Sequence, residues 1–369
     1  MKRKESRVRS VTLKMIAKEA NVSPATVSLA LNKNKNSTRV SQKTRHKIIE
    51  IASHLNYRPN YIAKSLVTKK TKTIGLVITT LLNPFYAEIA QDIIERSEEA
   101  GYSVVICSMR DELLPGSQRS VDELLMRGVD GLIICSSLLY DPLINELVNQ
   151  SVPFVLTLRN VKQEPGDGHV DFVGVDNRRG AYIATEHLLK IGHIRIAHLA
   201  GPLGVSTGYE RKIGWECALN TCGVQIDPDP VLEGDFHRHS GYEFTKELLK
   251  RYIKPTAIFA ANDYMAIGVL DALQEKKLKA PDDMAVVGFD DIEIAGLPGI
   301  NLTTVSQKKA TMGRLTVDFL IEKIKNGSED LGKRIILDPI LMIRKSCGFH
   351  IIDSNMQGRE TDVAQRKIS

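Results

Sequence analysis

Seven side chains near the ends of predicted strands could together hold a small polar ligand. Each follows an apolar run in the long C-terminal part of the chain; they are Phe85, Tyr86, Thr207, Arg211, Phe236, Asn262 and Asp263. In open sheets of parallel strands, ligands bind beyond the carboxyl ends of the strands. A ring such as Phe236 can stack on a flat ligand, and a carboxylate accepts hydrogen bonds from hydroxyl or N–H groups. This chemistry suits a sugar or a nucleobase.

Each of these residues also has an ordinary structural interpretation. Asp263 could cap the helix that follows it, as Asn262 could. Arg211 could form a surface salt bridge, and Phe85 and Tyr86 could belong to the core. The residues alone therefore leave the class of ligand open.

The elements that must position these residues alternate along the chain from Lys72 onward. Runs typical of strands are TIGLVIT, YSVVICS, GLIICSS and VPFVLTL, followed by IRIAHLAG, TAIFAAND and MAVVGFDD. Helical stretches include PFYAEIAQDIIERSEEAG, which Asn83 and Pro84 open, and DPLINELVNQ. This alternation predicts parallel sheets with helices on both faces. Two lobes fit the available length, with crossings near VDFVGVDN and NLTTVSQ.

The sequence carries no clear motif for catalysis or for metal binding. The chain has no GxGxxG before a helix and no GxxxxGK[ST] loop, and GPLGVSTG lacks the lysine that a phosphate loop needs. Histidines at His187, His193 and His198, and at His237 and His239, make weak zinc sites. The Asp290/Asp291 pair has no nucleophile or base near it in sequence. We therefore expect no enzyme activity, no cofactor and no metal.

The cysteines and the apolar runs indicate in which compartment of the cell the chain is found. Its five cysteines are an odd number without a CxxC pair, which indicates reduced thiols; Cys107 and Cys135 lie in runs that suit buried strands. No run approaches eighteen apolar residues, and the basic start MKRKESRVRS is not followed by a signal-peptide core. We expect a cytoplasmic protein without a membrane partner.

The charge is divided unevenly along the chain. Residues 1–72 hold 18 Lys and Arg against 3 Asp and Glu, a net charge of +15, while the remainder holds 32 against 41, a net charge of −9. A basic segment of this kind favours a polyanion, because Lys and Arg release the counterions condensed on nucleic acid. A solvated basic tail without a partner is the alternative.

The basic segment contains three predicted helices. VTLKMIAKEANVSPATVSLALN predicts two short helices joined by a tight turn, with Thr12 and Ser23 as N-caps and Pro24 in the first helical position. Their apolar residues recur at helical spacing. A third helix is predicted from about residue 41 to 55, with Ile48, Ile49, Ala52 and Leu55 facing the core. The first two form a helix-turn-helix shape, and the charge favours DNA binding over a plain three-helix bundle.

The basic stretch YRPNYIAKSLVTKK carries an unexpected apolar stripe. Ile62, Ala63, Leu66 and Val67 fall on one helical face, between lysines at 64, 69 and 70 that suit phosphates. The alternative is that the stripe covers the long C-terminal part.

These motifs together resemble the LacI/GalR family of bacterial transcription regulators. The resemblance rests on TLKMIAKEANVSPATVSLALN, VSQKTRHKI, HLNYRPN, AKSL and KTIGLVITTLLNPFYAEI, and it extends to about residue 350. It implies an all-α helix-turn-helix headpiece and an α/β two-lobed effector domain, similar to type I periplasmic binding proteins, with parallel sheets. The implied segments are a basic tail at 1–11, the headpiece at 12–58, the hinge helix and linker at 59–71, the effector-binding and dimerisation domain at 72–350, and a polar tail at 351–369, expected to be disordered.

The resemblance also implies how the chain meets DNA. The second helix would lie in the major groove, with Pro24, Ala25 and Leu29 near bases and Thr26 and Ser28 nearer phosphates. The full implied set is Thr12, Ser23, Pro24, Ala25, Thr26, Ser28, Leu29, Asn32, Tyr57, Asn60, Ala63 and Leu66. Leu29 departs from the polar or basic residue common in the family, so contact with a thymine methyl is expected there. The loop NKNKNSTRV is longer than usual.

The same resemblance explains the apolar stripe. Two hinge helices of a dimer would enter the minor groove together, with Leu66 as a wedge between base pairs and Ala63 permitting close approach.

The implied function is that of a homodimeric repressor on a pseudo-palindromic operator. It would be controlled by an effector that binds to the seven residues named in the first paragraph. A sugar or sugar derivative is favoured, and a nucleobase co-repressor or a protein co-effector is the alternative. Effector binding would change the angle between the lobes and thereby the pairing of the hinge helices. A solute-binding protein would share the two lobes but would lack the basic headpiece. VGFDD resembles a structural turn of the family, and the tail lacks the leucine heptads of a tetramerising coiled coil.

Overall fold

The computed structural model describes residues 11–31, 40–57, 65, 70–108, 117–162, 170–225, 231–327 and 332–348. The chain divides into two compact units, Met1–Thr71 and Lys72–Ser369. Most of the predicted hinge segment and the whole C-terminal tail lie outside the described residues.

The smaller unit contains the three predicted helices. They are α1 (Leu13–Ala20), α2 (Pro24–Leu31) and α3 (Gln42–His54). Their shared core consists of Ile16, Ala17, Ala20, Val27, Ala30, Ile48 and Ala52. The left-handed backbone of Asn21, with φ 56°, ends α1 and lets the chain turn into α2.

The helix ends agree only in part with the predicted caps. Ser23 Oγ accepts a hydrogen bond from the Thr26 N–H at 3.1 Å, as predicted. Thr12 occupies the N-cap position of α1, but its hydroxyl makes no capping bond. The prediction that Ile49 is buried was wrong, because the inner face of α3 centres on Ile48 and Ala52 and leaves Ile49 49% exposed.

The larger unit alternates strands and helices. Its strands are β1 (Thr73–Ile78), β2 (Ser103–Ser108), β3 (Gly131–Ile134), β4 (Phe154–Thr157), β5 (Phe172–Val175), β6 (Ile196–Ala200), β7 (Val231–Glu233), β8 (Ala257–Ala260), β9 (Ala285–Val287), β10 (Thr304–Ser306), β11 (Arg334–Leu337) and β12 (Ile340–Met342). Its helices are α4 (Pro84–Glu99), α5 (Ser117–Met126), α6 (Pro142–Asn149), α7 (Asn177–Lys190), α8 (Ser206–Thr221), α9 (Arg238–Leu248), α10 (Asp263–Glu275) and α11 (Lys309–Asn326), with short 3₁₀ turns at Glu293–Gly296 and Lys345–Cys347.

These strands build two parallel sheets, one in each lobe. The first lobe has the order β11-β5-β4-β3-β1-β2, and the second has β7-β6-β8-β9. Strands β3, β4, β6 and β8 are buried along their whole length, as expected where helices cover both faces of a sheet. The two lobes and their parallel sheets therefore confirm the predicted architecture.

The chain crosses between the lobes three times. The first two crossings follow β5 and β10, as VDFVGVDN and NLTTVSQ predicted, since α7 packs in the second lobe and α11 covers β3, β4 and β5 of the first. The third joins β11, which pairs with β5, to β12, which pairs antiparallel with β10. This last crossing was not predicted.

The cysteine thiols of the larger unit differ in burial. All five cysteines are free. Cys135 is buried, which raises the pKa of its thiol to about 12, whereas Cys107 is only half-buried. The described ranges contain no group of three or more His, Cys, Asp or Glu placed to hold a metal ion. Within the same parts of the chain, no helix has the length and apolar content to cross a membrane.

Candidate functional site

A pocket lies between the two lobes at the carboxyl ends of their strands. Its lining consists of Asn83, Phe85, Tyr86, Leu158, Arg159, Thr207, Arg211, Phe236, Asn262, Asp290 and Gln307. The free volume is only about 20 Å³, which is room for about one water molecule. A sugar or nucleobase can therefore enter only if the lobes or the lining side chains move apart.

Six of the seven predicted effector residues lie in this lining: Phe85, Tyr86, Thr207, Arg211, Phe236 and Asn262. That they bind an effector stays a prediction.

Asp263 is the exception, because its side chain does not belong to the lining of the closed pocket; that it binds an effector stays a prediction. Its side chain is fully buried behind the lining, where the carboxylate accepts hydrogen bonds from Thr304 Oγ1 at 2.5 Å and from the Ile292 N–H at 3.0 Å. Burial and the neighbouring Asp290 carboxylate raise its pKa well above the ordinary value. Asp263 thus ties α10 to the segment that follows β9 and to the start of β10.

Arg211 is the most firmly held polar group of the pocket. It is 3% exposed, so the interpretation as a surface salt-bridge residue was wrong. Its Nε donates to Asn177 Oδ1 at 3.0 Å and its Nη1 to the Ala261 carbonyl at 2.6 Å. The guanidinium also lies 3.7 Å from the ring centroid of Phe289. These contacts fix the orientation of the guanidinium before any ligand binds.

Asp290 supplies the carboxylate that Asp263 does not. Its Oδ1 accepts from Gln307 Nε2 at 2.7 Å and lies 3.5 Å from Arg211 Nη1. Burial raises the pKa of this carboxyl to about 6, against the lowering effects of Arg211 and of the Gln307 hydrogen bond. At neutral pH the group is therefore mainly ionised and can accept a hydrogen bond from a ligand hydroxyl or N–H.

The start of α8 brings Thr207 and Arg211 to the pocket one helical turn apart. Gly208 makes this position possible, because a Cβ there would lie 2.2 Å from the Pro202 carbonyl oxygen. The close approach of α8 to the loop after β6 thus depends on glycine.

Asn262 and Phe236 are joined to each other in the second lobe. Asn262 caps α10 by accepting from the Met265 N–H at 2.8 Å, and its Nδ2 donates to the Phe236 carbonyl at 3.0 Å. The Phe236 ring lies against Gly201, where a Cβ would be 2.1 Å from the ring. The helix-cap interpretation was therefore correct for Asn262, which also lines the pocket.

The first lobe contributes aromatic rings and a buried arginine. Asn83 caps α4 by accepting from the Phe85 N–H at 3.1 Å. Phe85 and Tyr86 meet edge to face with their ring centroids 5.8 Å apart. Arg159 is 1% exposed; it donates to Tyr86 Oη at 3.2 Å and lies 5.7 Å from the Phe236 ring centroid. Phe85 and Tyr86 are thus both core residues and pocket residues.

Five lining residues were not predicted: Asn83, Leu158, Arg159, Asp290 and Gln307. Leu158 and Arg159 directly follow β4, Asp290 follows β9 and Gln307 follows β10. The rule that placed the other candidates at strand ends could have found these four as well.

In the smaller unit, the predicted DNA-contacting residues differ in exposure. Thr12, Ser23, Pro24, Ala25 and Ser28 are exposed, and Thr26, Leu29 and Tyr57 are half-buried. The Ser23 and Thr26 hydroxyls are hydrogen-bonded to each other at 2.8 Å. The predicted contacts Asn32, Asn60, Ala63 and Leu66 lie outside the described residues.

The outer surface of this unit is basic. Lys14 and Lys18 on α1 and Lys43 on α3 are exposed. Lys47 Nζ donates to the Ala20 carbonyl at 3.2 Å, which ties α3 to the end of α1. The exposed residues of α2 are Pro24, Ala25 and Ser28, and Leu29 beside them is half-buried, so base contacts of this helix would be apolar or made through hydroxyls.

The chain combines a helix-turn-helix unit with a two-lobed unit that encloses a ligand pocket. This combination defines a ligand-responsive DNA-binding regulator. Residues 12–60 match the family model described as bacterial regulatory proteins of the lacI family. Residues 71–344 match the model described as periplasmic binding proteins and sugar binding domain of the LacI family. The chain belongs to the LacI family of bacterial regulatory proteins.

Relatives with a known role cover almost the whole chain. The ribose operon repressor of Escherichia coli (strain K12) is 35% identical over 335 residues, which span 91% of this chain and 99% of the relative. The HTH-type transcriptional repressor PurR of Haemophilus influenzae (strain PittEE) is 36% identical over 340 residues, spanning 91% and 98%. The lac repressor dimer bound to operator and the anti-inducer ONPF superposes with a TM-score of 0.79 at 31% identity, covering 92% of this chain and 99% of that one.

Proposed function

We propose that this protein is a homodimeric, sequence-specific transcriptional repressor whose operator affinity is controlled by a sugar or sugar derivative bound between the lobes. The observation that carries the proposal is the Arg211–Asp290 pair, which sets a fixed donor beside a carboxylate acceptor in a pocket that the ring of Phe236 also lines. Ring hydroxyls of a sugar both donate and accept, so they match such a pair. The ribose operon repressor relative makes D-ribose the first compound to test.

A nucleobase is the second candidate effector, and the aromatic rings support it. Phe85 and Phe236 come from opposite lobes and both line the pocket, so a flat ring could stack on either. Asp290 could accept from a ring N–H as well as from a hydroxyl. A sugar remains the first choice because polar groups outnumber rings in the lining.

On DNA, we propose that α2 enters the major groove with Ala25 and Leu29 near the bases. Both side chains are apolar, which favours contact with thymine methyl groups over bidentate contact with guanine. We further propose that Leu66, with Ala63 beside it, is the minor-groove wedge of a hinge helix at residues 59–71. A dimer with two such readers requires a pseudo-palindromic operator.

We further propose that the protein has no enzyme activity and that it acts in the cytoplasm. The pocket residues serve as hydrogen-bond partners and as stacking surfaces. A regulator of this kind acts where the chromosome lies.

The test of the effector site is a thermal-unfolding screen of the purified full-length protein against D-ribose, other sugars, sugar phosphates, nucleosides and nucleobases. A ligand that binds only the folded protein raises its stability by about 2.7 kcal/mol at a hundredfold excess over Kd. We expect a hit among the sugars, and we expect Arg211→Lys to fold but to lose that hit, because lysine cannot reproduce the guanidinium contacts. A hit that survives Arg211→Lys would contradict the pocket assignment, and a hit confined to nucleobases would replace the sugar by the second candidate.

A further inference from the structure

A charged pair from the first lobe lies where the two lobes meet beside the pocket. Lys309 begins α11 and Glu88 lies on α4, and Lys309 Nζ is 3.0 Å from Glu88 Oε2. Their side chains are 16% and 26% exposed. Both residues belong to the first lobe, because α4 and α11 pack against each other and α11 covers β3, β4 and β5. We call Glu88 and Lys309 the interlobe pair.

The interlobe pair reaches the backbone of the second lobe. Lys309 Nζ donates to the carbonyl oxygen of Asp290 at 3.1 Å and also to that of Asp291. Glu88 Oε1 accepts from the backbone N–H of Glu293 at 3.0 Å. Both members of the pair therefore bond the segment that directly follows β9.

That segment is fixed within the second lobe by its own contacts. Asp290 and Asp291 have positive φ values of 119° and 53°, so the backbone turns sharply there. Arg344 Nη2 holds Asp291 Oδ1 at 2.6 Å, while Arg344 Nη1 bonds the Leu302 carbonyl at 2.8 Å. The interlobe pair consequently bonds a rigid part of the second lobe.

The same pair contacts pocket residues from both lobes. Lys309 Nζ lies 6.0 Å from the ring centroid of Phe85, which lines the pocket from the first lobe. Asp290, whose carbonyl accepts from Lys309, turns its carboxylate into the pocket from the second lobe. The pocket between them has room for about one water molecule.

We propose that Glu88 and Lys309 are positioning residues that hold the lobes at the closed angle and keep Asp290 in place. They thereby set how often the pocket opens to admit the effector. A ligand that requires one arrangement of the lobes has its apparent affinity reduced by the fraction of protein in that arrangement. The interlobe pair therefore regulates effector affinity without touching the effector. This proposal rests on the pocket assigned under the proposed function, but its test needs neither effector nor DNA.

The test is the distribution of distances between the lobes, measured by pulsed electron paramagnetic resonance on the ligand-free full-length protein. Nitroxide labels at Asn149 on α6 and Asn220 on α8, both exposed, mark the two lobes. The background has Cys107, Cys217 and Cys222 replaced by serine, and labelled chains are diluted with unlabelled ones so that distances within one chain dominate.

Lys309→Met and Glu88→Gln are compared with Arg314→Gln. Arg314 is the matched control, because it pairs with Glu99 at 3.0 Å between the same two helices but entirely within the first lobe. Glu88→Gln is nearly isosteric, which keeps the test decisive if Lys309→Met does not fold. Hydrogen exchange of the Glu293 amide reports on the contact of Glu88 with this N–H group.

We expect both interlobe variants to broaden the distribution and shift it by several ångströms, whereas Arg314→Gln matches the unsubstituted protein. The proposal is overturned if the interlobe variants that fold leave the distance distribution unchanged. It is equally overturned if Arg314→Gln shifts the distribution as far as they do, since the effect would then be a general loss of packing between α4 and α11.

Discussion

The two aspartates Asp263 and Asp290 show how far sequence reasoning reaches at the scale of a residue. Both follow a buried strand, so the strand-end rule applies equally to each. Which of them faces the pocket depends on the side-chain direction after β8 and β9, and on Thr304 and Ile292, which the fold brings to Asp263 from distant positions in the chain. Local sequence does not contain that information. Asn262, next to Asp263, could be predicted because helix capping is local.

Asp263→Asn should lower stability rather than ligand affinity. The two oxygens of Asp263 accept from the Thr304 hydroxyl and the Ile292 N–H. An asparagine would instead present an N–H group to one of these two donors. A buried donor left unsatisfied costs about 1–3 kcal/mol. Urea unfolding should show a loss of that size, and the folded variant should bind the screening hit as the unsubstituted protein does. Normal stability combined with lost binding would return Asp263 to the pocket.

Asp290 should make ligand binding depend on pH. Since its pKa is about 6, it is mainly ionised at pH 7.5 and mainly protonated at pH 5. A protonated carboxyl is a poorer acceptor, so the affinity for the screening hit should fall by about tenfold between these values, as expected when one hydrogen bond to a charged group is lost. Isothermal titration calorimetry at several pH values measures this.

The stability of the ligand-free protein should respond to Asp290 in the opposite direction. Its folded pKa is raised above the ordinary 3.8, so its contribution to stability is full below about pH 4 and is lost as the pH rises through 6. Asp290→Asn, the control variant, should remove this part of both pH dependences. If its pH profiles superposed on those of the unsubstituted protein, Asp290 would not be the titrating group.

At the scale of elements, periodicity predicted most of the structure. The seven apolar runs named from the sequence are strands, and both helices quoted for the body are present as α4 and α6. The three-residue strand β7 was missed, and so were β11 and β12, whose burial is intermediate or exposed rather than continuous. The partners of β11 and β12, which are β5 and β10, are distant in sequence, so only the tertiary fold reveals the pairing.

Gly208→Ala should displace the start of α8. The added Cβ would lie 2.2 Å from the Pro202 carbonyl oxygen, so α8 or the loop after β6 must move. Thr207 and Arg211 would move with the helix, and we expect the affinity for the screening hit to fall by about tenfold or more, since small misplacements of binding groups are costly. Calorimetric titration measures the affinity.

Gly204→Ala is the control for this prediction. It lies in the same loop, but a Cβ there meets nothing within 4 Å. It should bind the hit normally. Equal affinity in both alanine variants would show that the position of α8 does not determine binding.

At the scale of the whole molecule, the division of charge was the most informative property of the sequence. The basic first 72 residues and the acidic remainder coincide closely with the two compact units, Met1–Thr71 and Lys72–Ser369. Charge and helix spacing could therefore predict a DNA-binding unit joined to a ligand-binding one. The angle between the lobes could not be predicted, because it depends on tertiary contacts such as that of Lys309 with the carbonyl oxygen of Asp290.

The central claim is that a ligand in the pocket controls binding to the operator. The most direct measurement uses the full-length protein and a pseudo-palindromic duplex selected by the protein from a random pool. Fluorescence anisotropy gives the Kd for this duplex with and without the screening hit, at one hundred times the ligand's own Kd. Asp290→Asn is titrated with the same ligand over a range of concentrations.

We predict that the ligand changes the Kd for the selected duplex by about fivefold or more in the unsubstituted protein, the usual lower range of allosteric coupling, and that Asp290→Asn needs about tenfold more ligand for the same change. The account would be contradicted if a ligand shown to occupy the pocket left the Kd of the unsubstituted protein unchanged.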